Sequence, residues 1–318
     1  MSSERMIPTN GIDMHVHEAG SPGQPLVVLC HGFPELGYSW RHQLPALAEA
    51  GYHVVAPDQR GYGDTTKPEA IEDYDILHLT DDLLGLLDAL GEEQAVVVGH
   101  DWGSIVLSGL VLRAPERVRG ACWMSVPFVR RPHAPPTEIF KQLFVDIWFY
   151  MLYFQEPGVA DADLGKDPAT TMRRFLCAIS GDATAEQMTA LASARDGRGM
   201  VDRLPEVDGL PAWLSQADLD HYVEVFSRTG FTGGLNWYRN LDRNWSLTPT
   251  FVDAHVTVPG CFIGGQKDPV LMMTPPESMK ELVDDLRGIT LVPDAGHWVQ
   301  QEKPRAVNEA LLSFLAGL

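Results

Sequence analysis

The chain has little cysteine and little positive charge, and it lacks a long uninterrupted apolar run. Its 318 residues include four cysteines, none in a CxxC pair or at metal-ligand spacing, so buried free thiols are expected and no metal site is predicted. Lysine and arginine total 24 against 43 acidic residues, a net charge of -19. That charge argues against nucleic acid or an anionic membrane surface as a partner.

No segment of the sequence is typical of export or of a membrane span. The first residues, MSSERMIPTNG, have no apolar core of a signal peptide, and the aromatic stretch IFKQLFVDIWFYMLYF is interrupted by Lys141 and Asp146. We therefore expect a cytoplasmic protein. With 45% hydrophobic and 21% charged residues, the composition is that of a globular protein able to bury a large core.

Short β-branched runs alternate with helical patterns in the first 127 residues and again after residue 247. A hairpin turn is predicted at Asn10-Gly11, and a helix over 76–90 is followed by Gly91 as its C-cap. After VPGCFIGG a helix is predicted over 276–287, then the strand ITLVPD. This alternation predicts an α/β fold with a mostly parallel central sheet. Its first buried strands are predicted at 26–30, 52–57, 95–99 and 121–126.

Between 128 and 247 the alternation stops. Pro135-Pro136 break the chain, and no convincing buried strand follows. We expect an all-helical lid (cap), residues 128–247, inserted into a core formed by 1–127 and 248–318. A lid over the carboxyl ends of the strands would enclose an apolar cleft. Helical patterns within it lie near 137–154, 168–180, 184–194 and 218–229.

The stretch AVVVGHDWG contains the most informative pattern. Gly99-His100-Asp101-Trp102-Gly103 fits the G-x-nucleophile-x-G elbow, with aspartate where lipases carry serine. An aspartate is ionised at neutral pH, so it can attack saturated carbon without a base and form an alkyl ester. An aspartate at an ordinary helix N-cap fits the same five residues.

Two residues after later strands complete a nucleophile, acid, base order. Asp268 in GGQKDPV would orient His297 in AGHW, and His297 would activate the water that hydrolyses the ester on Asp101. The backbone N–H groups of Phe33 and Trp102 are the candidate oxyanion hole. Each residue alone has a structural interpretation, but four strand-end motifs in this order make coincidence improbable.

Two other patterns carry weaker signals. His15 and His17 share one face of a strand and could ligate a metal, but the pattern assigns them no carboxylate or cysteine partner, which favours solvent-facing residues. Gly61-Tyr62-Gly63 lacks the third glycine of a dinucleotide fingerprint. We therefore expect no cofactor.

These motifs together resemble the α/β-hydrolase-fold epoxide hydrolases of the soluble type. The resemblance spans nearly the whole chain, and its most selective motifs lie in the lid. It implies conversion of a small hydrophobic epoxide and water to a vicinal diol. It also implies that Tyr153 and Tyr238 project from the lid as donors to the epoxide oxygen. The motifs are HGFPE at 31–35, GHDWG at 99–103, LYFQEPG at 152–158, GFTGGLNWYRN at 230–240, QKDPV around Asp268 and GHW at 296–298.

Two other functions share part of this pattern. A haloalkane dehalogenase also uses an aspartate nucleophile, but many carry asparagine where this chain has Phe33. A catalytically silent relative serving as a binding module would usually lack the nucleophile, acid or base, and this chain has all three. His31, Pro34 and Trp298 are further candidates for substrate binding. The sequence leaves open whether the protein is a monomer or a homodimer.

Overall fold

One sheet of eight strands forms the centre of the molecule, which a computed structural model describes over residues 3–184 and 192–318. In spatial order the strands are β1, β2, β4, β3, β5, β6, β9 and β10. The first two pairs of this order are antiparallel and the others are parallel. The mostly parallel sheet is therefore confirmed. Its strands are β1 (Ser3–Thr9), β2 (Ile12–Ala19), β3 (Leu26–Cys30), β4 (His53–Pro57), β5 (Ala95–His100), β6 (Val118–Met124), β9 (Gly260–Gly265) and β10 (Leu286–Val292).

The central strands are buried on both faces, which explains their unbroken apolar runs. Val27 and Val96 point to one face, against Leu47 and Leu311 from two covering helices. Their neighbours in sequence point to the opposite face, where the second pair of helices packs. The covering helices are α1 (Gln43–Glu49) and α14 (Pro304–Ala316) on the first face, and α2 (Ile76–Leu90) and α3 (Trp102–Arg113) on the second.

Helix α2 begins and ends where the sequence predicts. The Asp75 carboxylate accepts hydrogen bonds from the backbone N–H groups of Leu77 and His78, and Gly91 follows the last helical residue as the C-cap. The hairpin turn at Asn10-Gly11 between β1 and β2 is also confirmed. These local signals are strong because each depends on residues adjacent in sequence.

The cap, defined here by the elements between β6 and β9, is mostly but not entirely helical. The expectation of an all-helical lid is wrong because β7 (Ile147–Phe149) and β8 (Ala192–Ala194) pair antiparallel within it. The helix expected near 184–194 falls mostly on residues 185–191, which lie outside the described chain. The cap helices are α4 (Pro136–Leu143), α5 (Tyr150–Tyr153), α6 (Val159–Gly165), α7 (Pro168–Ala178), α8 (Met200–Arg203), α9 (Gln216–Thr229), α10 (Thr232–Arg239) and α11 (Leu241–Leu247).

The helix predicted over 276–287 is also wrong in its length. A short 3-10 helix spans Pro276–Glu281, and β10 already begins at Leu286. Three short or terminal helical segments complete the core, α12 (Pro269–Met273), α13 (Val299–Glu302) and α14. No helix in the described part of the chain is both long and apolar enough to cross a membrane. All four cysteines are free and buried, as expected.

Candidate active site

Asp101 stands on a sharp turn between the end of β5 and the start of α3. Its backbone has φ 51° and ψ -117°, a conformation that L-residues rarely adopt. The turn fits only because the next helix can approach the sheet closely: a Cβ at Gly103 would collide with the carbonyl oxygen of Cys30. Strain of this kind is typical of a residue whose side chain must face a cleft.

The two carboxylate oxygens of Asp101 have different surroundings. Oδ1 accepts a hydrogen bond from the backbone N–H of Phe33 at 2.9 Å. Oδ2 lies 3.5 Å from Nε2 of His297. The N–H of Trp102 belongs to the first turn of α3, whose amides have no acceptor within the helix. The N–H of Phe33 thus contacts the Asp101 carboxylate, and the oxyanion hole formed by Phe33 and Trp102 stays a prediction.

His297 is buried between two carboxylates. Its Nδ1 lies 3.0 Å from Oδ2 of Asp268, and the other oxygen of Asp268 accepts the backbone N–H of Val270 at 2.9 Å. Burial alone would lower the pKa of His297, but Asp268 and Asp101 outweigh it and raise the pKa well above its ordinary value. The structure therefore brings together the three residues that the sequence places in nucleophile, acid, base order.

Two cap tyrosines, Tyr238 and Tyr150, form the wall near Asp101. The Tyr238 ring packs edge-on against Trp102, with centroids 5.0 Å apart, and lies 6.0 Å from the ring of Tyr150. Burial raises the pKa of both phenols, and the negative charge of Asp101 raises it further. Both phenols therefore stay protonated near the carboxylate and can act as hydrogen-bond donors.

Tyr153 does not take the position expected of it. Its hydroxyl donates to Oδ2 of Asp163 at 3.0 Å, and its raised pKa follows from burial and from Asp163. Tyr150 lies one turn earlier in the same short helix. The negative charges of Asp101 and Asp268 raise the pKa of its hydroxyl. Within the described chain no hydrogen bond to the Tyr150 hydroxyl is seen. The position of Tyr153 does not fit the role expected of it, and Tyr150 is the tyrosine of this helix that lies near Asp101.

The three residues expected to bind substrate have structural contacts. His31 is fully buried: its Nδ1 donates to the carbonyl of Gly32 at 2.8 Å and its Nε2 accepts the N–H of Gln59 at 3.0 Å. With both nitrogens engaged, His31 shapes the loop that carries Phe33 and is not free to bind a ligand. Pro34 is buried in the same loop, after a cis peptide bond.

Trp298 and its neighbours join the loop of the base to the cap. The Trp298 indole N–H donates to the carbonyl of Leu176 at 2.8 Å, and the backbone N–H of His297 donates to the carbonyl of Ile179 at 2.9 Å. A Cβ at Gly296 would collide with the backbone of Ser180 and Gly181. The loop therefore lies directly on the main chain of the cap.

Comparison with known proteins agrees with this geometry. A family model described as alpha/beta hydrolase fold matches residues 25–304. Epoxide hydrolase A of Mycobacterium tuberculosis is 54% identical over 318 residues, which cover 99% of this chain and 98% of the relative. This chain belongs to the epoxide hydrolases of the α/β-hydrolase fold. A crystal structure of Epoxide Hydrolase A from Mycobacterium thermoresistibile matches this epoxide hydrolase with a TM-score of 0.96 and 53% identity, over 100% of this chain and 99% of that one.

A mammalian relative is longer than this epoxide hydrolase. Bifunctional epoxide hydrolase 2 of Mus musculus is 38% identical over 96% of this chain but only 54% of its own length, so the chain spans about half of that protein. Membership of this family favours epoxide hydrolysis over the two alternatives, a haloalkane dehalogenase and a catalytically silent binding module. The assembled Asp101, His297 and Asp268 also argue against a silent module.

Glu35 and His100 form a buried pair near Asp101 that the sequence analysis did not predict. The two residues belong to the HGFPE and GHDWG motifs of this epoxide hydrolase. His100 Nδ1 lies 2.6 Å from Oε2 of Glu35, and its Nε2 lies 2.7 Å from the carbonyl oxygen of His297. The carbonyl oxygen only accepts, so Nε2 of His100 donates to it, and Nδ1 faces the Glu35 carboxylate. Burial would raise the pKa of Glu35, but His100 and the backbone N–H of Gly32 lower it to about 2. The signal available was a histidine and a glutamate, each adjacent to a site residue.

Replacing Glu35 with glutamine should destabilise this epoxide hydrolase strongly, because it removes the buried carboxylate that pairs with His100 and accepts the N–H of Gly32. We expect the free energy of unfolding in urea to fall by about 3–5 kcal/mol. The matched control is Glu309→Gln, since Glu309 is exposed and pairs with Arg305 on the surface. That change should stay within about 0.5 kcal/mol. An equal loss of unfolding free energy in the two variants would show that the buried pair stabilises the protein no more than the surface pair does.

Proposed function

We propose that this protein converts hydrophobic epoxides and water to vicinal diols through an alkyl ester on Asp101. The observation that carries the proposal is the unequal environment of the two carboxylate oxygens. Oδ1 is held by the N–H of Phe33, while Oδ2 lies on the side of His297. Oδ2 is therefore the oxygen available to attack a carbon atom, and Oδ1 is already placed in the oxyanion hole.

In the first step Oδ2 of Asp101 forms a bond to an epoxide carbon as the ring C–O bond breaks. The departing alkoxide is a poor leaving group, so it needs a proton as it forms. Tyr150 or Tyr238 donates that proton, and His297 then returns a proton to the phenolate. The products are a neutral ester, a free hydroxyl group on the substrate and a neutral imidazole.

In the second step neutral His297 takes a proton from a water molecule that attacks Cγ of the ester. Negative charge develops on Oδ1, where the N–H groups of Phe33 and Trp102 stabilise it. Collapse of this intermediate breaks the ester bond, and His297 protonates the departing diol oxygen. The second proton of the water then passes from the Asp101 carboxyl group to His297, which restores the starting ion pair. Asp268 accepts the Nδ1–H throughout and stabilises the imidazolium.

The walls of the site favour an apolar substrate. The Phe33 ring packs edge-on against the rings of Phe154 and Phe175, with centroids 5.7 and 5.9 Å away. An aryl or long alkyl substituent on the epoxide suits these surfaces, since its burial is favourable by about 25 cal/mol per Å².

Trapping the ester tests the proposal directly. His297→Gln should be alkylated by styrene oxide but hydrolyse the ester slowly, so intact-protein mass spectrometry should show one substrate mass added per chain. Asp101→Ala should acquire no such mass, and peptide mapping of His297→Gln should place the adduct on Asp101.

Other outcomes would exclude the proposal. Wild-type turnover by His297→Gln would remove its assigned role. Halide release from chloroalkanes without epoxide turnover would support a dehalogenase, and binding of epoxides without turnover by the wild type would support a silent module.

The corrected tyrosine assignment makes a separate prediction. Tyr150→Phe and Tyr238→Phe should each slow alkylation by about ten- to a thousandfold, because each removes one donor to the opening oxygen. Tyr153→Phe is the matched control, since its hydroxyl bonds Asp163, and it should change the rate by less than about threefold. Single-turnover kinetics measures the step. A Tyr153→Phe enzyme slower than Tyr150→Phe would reverse the correction.

Alkylation should lower the pKa of His297, because it removes the charge of one of the two carboxylates that raise it. Asp101→Asn mimics the neutral ester, so NMR titration should give a lower imidazole pKa in this variant than in the wild type. The rate of ester hydrolysis should rise with pH through that lower pKa, since the base must be neutral. The same pKa in both proteins would contradict the proposed timing.

A further inference from the structure

His15 and His17 are not the solvent-facing residues that the sequence favours. Their side chains are 14% and 12% exposed, and each lies near two carboxylates. Glu4 comes from β1, where it pairs directly with His17 in the ladder, and Asp58 follows β4. The hairpin and the neighbouring strand therefore bring two imidazoles and two carboxylates to one place.

Asp58 lies on one side of the two rings and Glu4 on the other. On the Asp58 side, Oδ2 is 2.8 Å from Nδ1 of His15 and Oδ1 is 3.9 Å from Nε2 of His17. On the Glu4 side, the carboxylate is 3.7 Å from Nε2 of His15 and 3.1 Å from Nδ1 of His17. Ligand atoms from His15, His17 and Asp58 lie within 4.8 Å of one another.

We propose that His15, His17 and Asp58 bind one divalent transition-metal ion, with Zn²⁺ as the best-suited cation. Imidazole nitrogen and carboxylate oxygen are ligands that Zn²⁺ takes at about 2.0–2.2 Å, which puts neighbouring ligand atoms about 3.3 Å apart. The two distances from Asp58 to the histidine nitrogens, 2.8 and 3.9 Å, fall on both sides of that spacing. The ion replaces the proton between His15 and Asp58, and small side-chain movements complete the site.

Asp58 is fixed in position before any ion binds. Its Oδ1 also accepts the backbone N–H of Gly37 at 2.8 Å, and its side chain is only 6% exposed. The rings of His15 and His17 meet edge to face with centroids 5.0 Å apart, and one nitrogen of each lies within 4.8 Å of the other and of an Asp58 oxygen. A partly buried ligand set that is already ordered loses little conformational entropy on binding.

There is space for the ion and for a further ligand. A cavity of about 200 Å³ is lined by these residues and by His221 and Glu224 of the cap helix α9. Arg228 also borders it, but its guanidinium pairs with Asp64, which balances that charge. With His221 as fourth ligand, the ion would join the β1–β2 hairpin to the cap, whereas with a water molecule it would be held by the core alone. None of the proposed catalytic side chains contributes a ligand.

Calorimetric titration of tag-free, chelator-treated full-length protein with Zn²⁺ tests the site. We expect one ion per chain and a rise in the melting temperature, because the ion binds only the folded hairpin. His17→Ala should weaken binding by about 10- to 100-fold or more, since it removes a ligand. His255→Ala is the matched control, because this exposed histidine also pairs with one aspartate, Asp284, and it should bind like the wild type.

Visible absorption of the Co²⁺-loaded protein gives a second readout that does not depend on stability. Bands of tetrahedral Co²⁺ should appear in the wild type and be lost in His15→Ala and His17→Ala. Failure of the wild type to bind Zn²⁺ below about 1 mM would overturn the proposal. So would stoichiometric binding that survives in a folded His17→Ala protein, because the ion would then occupy other residues.

Discussion

The position of His297 between two carboxylates is the arrangement on which the rest of the catalytic centre depends. Asp268 is a permanent partner, whereas Asp101 loses its charge in the proposed alkylation. In the proposed mechanism, the same imidazole is held as a cation before alkylation and released as a base after it. In that mechanism the substrate itself removes the charge, so the switch requires no conformational change.

The backbone around His297 is held by a second layer of buried polar groups. The carbonyl oxygen of His297 accepts hydrogen bonds from Nε2 of His100 and from the hydroxyl of Ser125, at 2.7 and 2.9 Å. Glu35 binds His100 and also accepts the N–H of Gly32, next to the oxyanion residue Phe33. One buried carboxylate therefore fixes the loop of the base and the loop of the oxyanion hole relative to each other, which explains why a costly buried charge is present there.

The sequence predicts those parts of the site that depend on strand ends, because parallel strands bring their carboxyl ends to one edge of a sheet. Asp101, Asp268 and His297 each follow such a strand, so their meeting could be expected from order alone. The tyrosine could not be chosen in this way. Helix α5 has only four residues, too few for an apolar pattern to show which of Tyr150 and Tyr153 faces the cleft. The two strands of the cap have three residues each, which is also too few for a periodic pattern to be recognised in the sequence.

The acidic partners of His15 and His17 illustrate a different limit. Asp58 is 43 residues from His15 in sequence, and only the order of strands in the sheet brings them together. Glu4, in contrast, follows from the hairpin: a two-residue turn at Asn10-Gly11 sets the register that puts Glu4 opposite His17. Reading that register from the predicted turn would have shown one carboxylate beside the histidines.

The loop 296–298 packs directly against the main chain of the cap, and this contact limits how the cap can be exchanged between relatives. Because Gly296 admits no side chain there and the N–H of His297 is bonded to the carbonyl of Ile179, the cap is part of the support of the base. A chimera that grafts another relative's cap onto this core must bring a main chain of matching shape at 176–181. Without it His297 would lose its alignment even if every catalytic side chain were retained. Replacing the cap would therefore change the range of substrates and the catalytic rate at the same time.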